Sequence, residues 1–393
     1  MTSTVSTQTS ASASSDASPA DFPDSPLARV MRQPMMLGLF LPIQNGGWSP
    51  SLLPRSTTWT FDYNAALTLQ AEKLGFDLVF GLAQWLGKGG HGGQQRYRET
   101  SLDPFIAVSA LSAVTSRILL ISTVHVLYGP WHPLHLAKFG ATLDHISGGR
   151  WGINLVTGNA LNEALMFGMQ RTEHDLRYDQ ADEFVTALKR LWTADEDVDL
   201  QGSQWAMQSA FVTPKPLYGR PILLNATGSP AGFDFAAKHS DIVFITSPAG
   251  AEIETALAAL PDHIQALRAA AAEQGRTVRT IINPMIVSGE TDREAEAYYY
   301  AILAAEDVGA VDGFVGRNSD SHAWRGHRRE QRVLGGNIQL IGGPQRIVDY
   351  LLRLRAAGID GVQLTFFDFQ PDLAFFGSRI LPLMIEAGLR LSN

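Results

Sequence analysis

The chain has no cysteine among its 393 residues, which excludes disulfides, thiolate metal centres and a cysteine nucleophile. Charge is also sparse: 18% of residues are Asp, Glu, Lys or Arg, with a formal balance of -8. Without a block of Lys or Arg there is no footprint for nucleic-acid phosphates or anionic lipid, so the expected partner is a small molecule. No apolar run approaches the roughly 20 residues of a membrane-spanning helix. The opening MTSTVSTQTSASASSDASPADFPDSP lacks the apolar content needed to offset ordering entropy, and a disordered extension is expected over residues 1–33. It also lacks the basic start and apolar core of a signal peptide and the Arg richness of a transit peptide, which predicts a cytoplasmic protein.

What is present is a 45% hydrophobic chain in which short apolar runs alternate with long segments of helical period. Eight runs read as strands, over residues 36–43, 77–83, 118–126, 150–158, 221–227, 241–247, 280–288 and 361–369. Each is followed by a helical segment, so residues 34–393 predict a single (β/α)8 TIM barrel with loop insertions. A doubly wound sheet is disfavoured, since no G-x-G-x-x-G follows a first strand. The insertions fall at about residues 194–220, where VDLQGSQWAMQSAFV reads as a hairpin, and 307–342, a polar stretch that reads as a lid. In ISGGRWGIN, Gly148 or Gly149 suits a left-handed helix cap and Arg150 the carbonyl end.

Parallel barrel strands present their C-terminal ends at one mouth. Here that ring holds Gln44, Asn45, residues 83–85, 123–125 and 154–159, Gly228, Ser229 and residues 366–369. These are amides, hydroxyls and aromatics rather than carboxylates or lysine, a lining that suits a planar cofactor carrying its own chemistry. Gly228 and Ser229 stand at a strand-to-helix junction, where free N–H groups and the helix dipole favour a phosphate, although a Ser N-cap would look the same. Arg177 and Tyr178 could add a charged donor and a hydroxyl, or be a surface Arg beside a core Tyr. His132 and His135 lie three apart without a carboxylate at ligand spacing, so no metal site is expected.

The segments AVTSRILLIST, ATLDHISGGRWGINLVTG, EHDLRYDQADEFVTALKRLWT, TPKPLYGRPILLNATGS and LTFFDFQPDLAFFGSRILPLM resemble the bacterial-luciferase-like flavin-dependent monooxygenases. Within that family they are most like the dimethyl sulfone and pyrimidine (uracil) monooxygenases. The resemblance implies a two-component enzyme that uses O2 and reduced FMN (FMNH2), supplied by a separate NAD(P)H-dependent flavin reductase, in a homodimer or homotetramer. It implies that Thr123 and Asn154 form the oxygen pocket, and that Ala83, Gln84, Asn154, Glu163, Arg177, Tyr178 and Ser229 hold the flavin, with Gly228 beside Ser229 expected at the phosphate from the helix terminus. Trp85, His125, Asn159 and Phe367 are the expected substrate contacts.

Departures bear on the substrate. Asn159 stands where both groups of relatives have Trp, and Phe367 replaces the first of two aspartates of the pyrimidine enzymes. The region IINPMIV lacks the Arg and His that alkanesulfonate enzymes carry, so a sulfonate would depend on lid arginines such as Arg325, Arg328 or Arg329. The phenyl ring at 367 favours a small, weakly polar substrate, and because GPWHP and EHDLRYDQADEF most resemble the sulfone enzymes, the resemblance implies a sulfone or related organosulfur compound cleaved at a C–S bond. Alternatives are C–N or C–halogen cleavage, an F420-dependent oxidoreductase, and a flavin-binding protein without turnover.

Overall fold

The computed structural model describes residues 17–129, 131–316, 319 and 326–391. Among the described residues twelve strands follow one another: β1 (Met36–Phe40), β2 (Leu78–Gly81), β3 (Leu119–His125), β4 (Trp151–Val156), β5 (Val198–Gln201), β6 (Ala206–Ala210), β7 (Ile222–Thr227), β8 (Ile242–Ile245), β9 (Arg279–Ile282), β10 (Pro284–Ser288), β11 (Ile338–Gly342) and β12 (Gly361–Leu364). Eight of them close a parallel barrel in the order β1-β12-β9-β8-β7-β4-β3-β2, the (β/α)8 arrangement. The barrel strands are buried on both faces, which is why their sequences are mostly apolar rather than strictly alternating. β5 and β6 form the expected antiparallel hairpin.

Inside the barrel, large and small residues interlock. A Cβ on Gly152 would lie 2.8 Å from both the Ile121 side chain and the Ile222 Cβ, so the neighbours already fill that space. Above this layer Phe40, Phe80 and Phe244 meet edge to face or tilted, with centroids 5.1, 5.5 and 6.0 Å apart. They close the barrel interior and form the floor of the mouth.

At the opposite end, carboxylates at strand starts accept backbone N–H groups of neighbouring strands. Asp77 takes the Leu37 N–H at 2.7 Å, Asp241 the Leu223 N–H at 2.9 Å, and Asp360 the Thr280 N–H at 3.0 Å. Each is matched by arginine: Arg390 on Asp77, Arg220 on Asp241, and Arg268, Arg279 and Arg355 on Asp360. Gly148 (φ 66) caps the Pro133–Ser147 helix, and Arg150 donates to the carbonyls of Ser112, Thr115, Ile118 and Ser147.

Three expectations need correction. The expected disordered extension does not run to residue 33: short helices at Pro19–Asp21 and Pro26–Val30 are capped by Ser18 and Ser25, and Leu27 is fully buried. The Ser18 hydroxyl donates to Asp241 at 2.7 Å, so this segment is pinned to the barrel's lower end. Residues 1–16 lie outside the described residues.

The single strand read over 280–288 is two. Pro284 has no N–H for the barrel ladder; β9 stops before it, and β10 turns aside to pair in parallel with β11.

Residues 307–342 are not a uniformly polar lid. They contain a Val308–Val315 helix, buried at Ala310, Val311 and Phe314, then a 3-10 helix at Arg329–Leu334 and strand β11. Residues 317–318 and 320–325 of that stretch, Arg325 among them, lie outside the described residues.

Candidate active site

One cavity opens at the C-terminal mouth of the barrel, with about 1390 Å³ of space when the solvent at its entrance is included. Its described lining contains no Asp or Glu; the ionisable side chains are Arg98, His125, His174, Arg177 and Tyr178. The cavity gathers residues expected from sequence: Ala83, Gln84, Thr123, His125, Asn154, Asn159, Arg177, Tyr178, Gly228 and Ser229 all line it.

At its centre stand Thr123 and Asn154, side by side in register on β3 and β4 and each 2% exposed. The Asn154 Nδ2 donates to the Thr123 Oγ1 at 3.1 Å. That bond leaves the Thr123 hydroxyl hydrogen free to point elsewhere, and the Asn154 Oδ1 is buried without a partner. An orphaned polar atom at a cavity wall costs free energy until a ligand or water meets it.

One end of the cavity gathers hydrogen-bonding groups. Ser229 caps the Pro230–His239 helix, its Oγ accepting the Gly232 N–H at 3.2 Å. The Thr227 Oγ1 is buried with no partner, and a Cβ on Gly232 would fall 1.8 Å from it and 2.8 Å from the Tyr178 hydroxyl. A glycine is therefore required for these groups to converge on the helix N-terminus. Arg177 and Tyr178 reach the same end from the first turn of the His174–Thr193 helix, with the Arg177 guanidinium oriented by a 2.7 Å bond to the Thr172 carbonyl. A hydroxyl, a guanidinium and helix N–H groups around a small hollow match the donor needs of a phosphate, so these residues fit the phosphate end of FMN.

Glu163 is buried just behind the wall, its carboxylate 3.9 Å from the His125 Nε2 and accepting the Trp85 N–H at 3.4 Å. Asn159 is on the wall and accepts a 2.9 Å bond from the Ser319 hydroxyl.

Two expected substrate contacts are elsewhere. Trp85 is 41% exposed and packs edge-on against Phe167, outside the cavity lining. Phe367 is buried below Arg55 (4.5 Å) and beside Tyr298, also outside it. The chain bends after β12, which ends at Leu364, so strand alternation no longer directs the residues that follow. Arg328 and Arg329 are likewise not in the lining; they form exposed ion pairs with Glu330, and with Glu306 and Asp312.

The far end of the cavity is one that sequence reasoning missed. Trp48, Arg98, Asn283, Phe314, Gly335 and Asn337 line it, drawn from five separate stretches of chain. Asn283 donates to Asn337 at 2.9 Å. Arg98 lies over the rings of Trp48, Tyr97 and Phe314 at 4.9, 4.9 and 5.5 Å. Arg332, whose pKa burial lowers to about 10, lies against the same Phe314 ring at 5.2 Å. The adjacent Arg-Tyr-Arg of residues 96–98 was the one available hint, because charge and aromatic character alternate there without helical or strand period.

Among the described residues no group of three or more His, Asp or Glu is arranged to hold a metal, and no helix is long and apolar enough to cross a membrane. The family model for luciferase-like monooxygenases matches residues 35–361. An FMNH2-dependent dimethylsulfone monooxygenase of Pseudomonas putida is 31% identical, over 91% of this chain and 97% of that one. A pyrimidine monooxygenase RutA of Rhizobium rhizogenes is 32% identical, over 89% and 96%. Among solved structures, DmoA from Hyphomicrobium sulfonivorans superposes with a TM-score of 0.78 at 21% identity, covering 92% of this chain and 90% of that one. The near-complete coverage of both curated relatives, at identities above 30%, and the match of the family model to most of the barrel lead to one conclusion: the chain belongs to the luciferase-like monooxygenase family.

Proposed function

We propose that this protein is an FMNH2-dependent monooxygenase that cleaves a C–S bond of a small organosulfur compound, using O2 and working with a separate NAD(P)H-dependent flavin reductase in the cytoplasm. The observation that carries the reading is the pairing of an anion cradle at Arg177, Tyr178, Thr227 and Ser229 with the buried Thr123–Asn154 pair in the same cavity. Bound FMN would supply the redox chemistry that activates oxygen. The protein's own part is to hold, orient and keep dry.

Arg177, Tyr178, Thr227 and Ser229 would hold the phosphate of FMN, in the same cavity as the Thr123–Asn154 pair. Thr123 and Asn154 offer neutral hydrogen-bond donors where charge develops on oxygen, without a strong acid that would discharge it. Phe40, Phe80 and Phe244 exclude water from below. The exposed apolar side chains of Ile106, Phe139 and Ile146, on neighbouring barrel helices, support assembly as a homodimer or homotetramer.

A second reading, oxidative C–N cleavage of a heterocycle, is favoured by the 32% identity to the pyrimidine enzyme. The test is turnover with FMN, a flavin reductase and NADH, with methyl sulfones and uracil offered in parallel. Sulfinate release supports the first reading and uracil consumption the second. Flavin oxidation with neither product overturns both.

A further inference from the structure

Where β9 ends and the chain turns aside as β10, the pairing of β10 with β11 begins at Pro284 opposite Ile338. The residues just before the two strands, Asn283 and Asn337, therefore stand side by side, and both line the cavity. The Asn283 carbonyl accepts the Ile338 N–H at 3.0 Å and ties the two stretches together. In the ring of eight strands β9 lies opposite β3, with the same number of strands between them on either side. Asn283 is thus placed across the mouth from Thr123.

The two carboxamides are held in fixed orientations. Asn337 Nδ2 donates to the Leu334 carbonyl at 3.0 Å, which turns its Oδ1 toward Asn283, and the Asn283 Nδ2 donates to that oxygen at 2.9 Å. Gly335, at φ 70, makes room for this relay: a Cβ there would stand 2.3 Å from the Trp48 carbonyl and 2.8 Å from the Asn337 Nδ2. The relay settles which face of Asn283 remains for a ligand. Its Oδ1 accepts from no group among the described residues, and its Nδ2 keeps one N–H beyond the bond to Asn337. Around it the lining is aromatic, with Phe40 and Trp48 4.2 Å apart between centroids and Phe314 beside them. The Trp48 Nε1 is directed away to the Leu41 carbonyl at 3.3 Å, and Arg98 is engaged by the Gly47 carbonyl and Tyr97.

A neutral amide that offers one acceptor and one donor matches a ligand group that brings the reverse pair. A sulfonyl group alone only accepts, so it would leave the Asn283 oxygen unmet, and a site built to receive an N–H rejects the analogue that lacks it. We propose that Asn283 is a specificity-determining residue of this site, selecting a neutral substrate whose polar group carries an N–H donor next to an oxygen acceptor, as a sulfonamide does, and that Asn337 is the positioning residue that fixes the Asn283 carboxamide. The proposal rests on the reading above and narrows it: the substrate remains a small, uncharged organosulfur compound, and its polar group donates as well as accepts.

Benzenesulfonamide and methyl phenyl sulfone, both uncharged at neutral pH, differ by an amino group in place of a methyl group of similar size. Calorimetric titration of each into the FMN-loaded protein tests the proposal. The sulfonamide should bind at least about fivefold more tightly, the scale of one net hydrogen bond. Asn283→Leu should bring the two ligands within about twofold of each other, and Asn337→Leu should reduce the preference without abolishing it, with the FMN dissociation constant unchanged in both. The ratio of the two affinities is the readout, because a loosened fold would weaken both ligands alike. Equal or tighter binding of the sulfone by the wild-type protein overturns the proposal, as does binding of neither ligand or a preference left intact in a folded Asn283→Leu variant. Should Asn283→Leu melt well below wild type, the wild-type ranking and the Asn337→Leu ratio decide. Failure of the wild-type protein to bind FMN would sink the flavin reading instead, and the same two ligands titrated into flavin-free protein would still read Asn283.

Discussion

The carboxamide of Asn154 donates to the hydroxyl of Thr123 across 3.1 Å, between adjacent strands and in register. Because the amide nitrogen is the donor, the threonine proton is released toward the cavity rather than consumed within the pair. Thr123→Val or Asn154→Leu should therefore cut product formation about a hundredfold or more, the usual cost of losing one preorganised donor to a developing anion. Oxygen uptake should continue and end as hydrogen peroxide. Parallel assays of oxygen use and product check this; wild-type coupling in either variant would make the pair structural.

The anion cradle predicts that Arg177→Ala weakens FMN binding by about 1.5–3 kcal/mol, the worth of a charged hydrogen bond. Ser229→Ala should weaken it less, since the hydroxyl serves the Gly232 N–H as well. Fluorescence titration of FMN reads both. Unchanged dissociation constants in the two variants would remove the site from the cavity's anion end.

Gly232→Ala is a sharper probe of the same place. The added methyl would stand 1.8 Å from the Thr227 Oγ1, so either Thr227 turns away or the helix shifts. FMN affinity should fall while the melting temperature changes little, because the open cavity can absorb the movement. A variant that binds FMN as wild type does would show that Thr227 and Tyr178 do not converge on the ligand.

Leu27 reports on the N-terminal segment. If this residue is packed as its complete burial indicates, Leu27→Ala costs about 2–5 kcal/mol, the range for emptying a core leucine site. A disordered segment would lose nothing. Denaturant unfolding of the two proteins distinguishes them.

Burial raises the Asp144 carboxyl from 3.8 to about 6, against the opposing pull of the Leu217 N–H it accepts at 2.7 Å. An acid whose folded pKa is raised holds its proton better in the folded state. Its ionisation therefore destabilises the fold as pH climbs from about 4 to about 6, and the cost persists above that. Asp144→Asn keeps an acceptor for Leu217 and removes the charge, so it should be near neutral at pH 4 and stabilising by up to about 3 kcal/mol at pH 8. Melting curves at the two pH values check the sign; a variant destabilised more at pH 8 than at pH 4 would reverse it.

The barrel was legible because its information is local. Each of the eight strands is a short, mostly apolar run, and alternation with helical segments leaves few topologies open. Thr123, Asn154, Ser229, Arg177 and Tyr178 were legible for a related reason: they stand at strand ends or in first helical turns, where the element itself dictates which way a side chain or N–H group points. The same logic misled at Phe367, three residues past the end of β12, and at Trp85, where the chain leaves the barrel and the side chain packs on Phe167.

Only the tertiary structure decided the other half of the cavity. Trp48, Arg98, Phe314 and Asn337 come from loops and insertions whose paths are set by contacts between distant stretches, such as the Arg98 Nε on the Gly47 carbonyl and the Ser49 hydroxyl on the Val333 carbonyl. No periodicity encodes such contacts, because each depends on the closed barrel bringing both partners to one mouth. The order of residues 17–33 has the same origin. Their composition alone cannot offset the entropy of ordering, and it is the preformed lower end of the barrel, with Asp241 waiting for the Ser18 hydroxyl and a hollow for Leu27, that supplies the missing free energy.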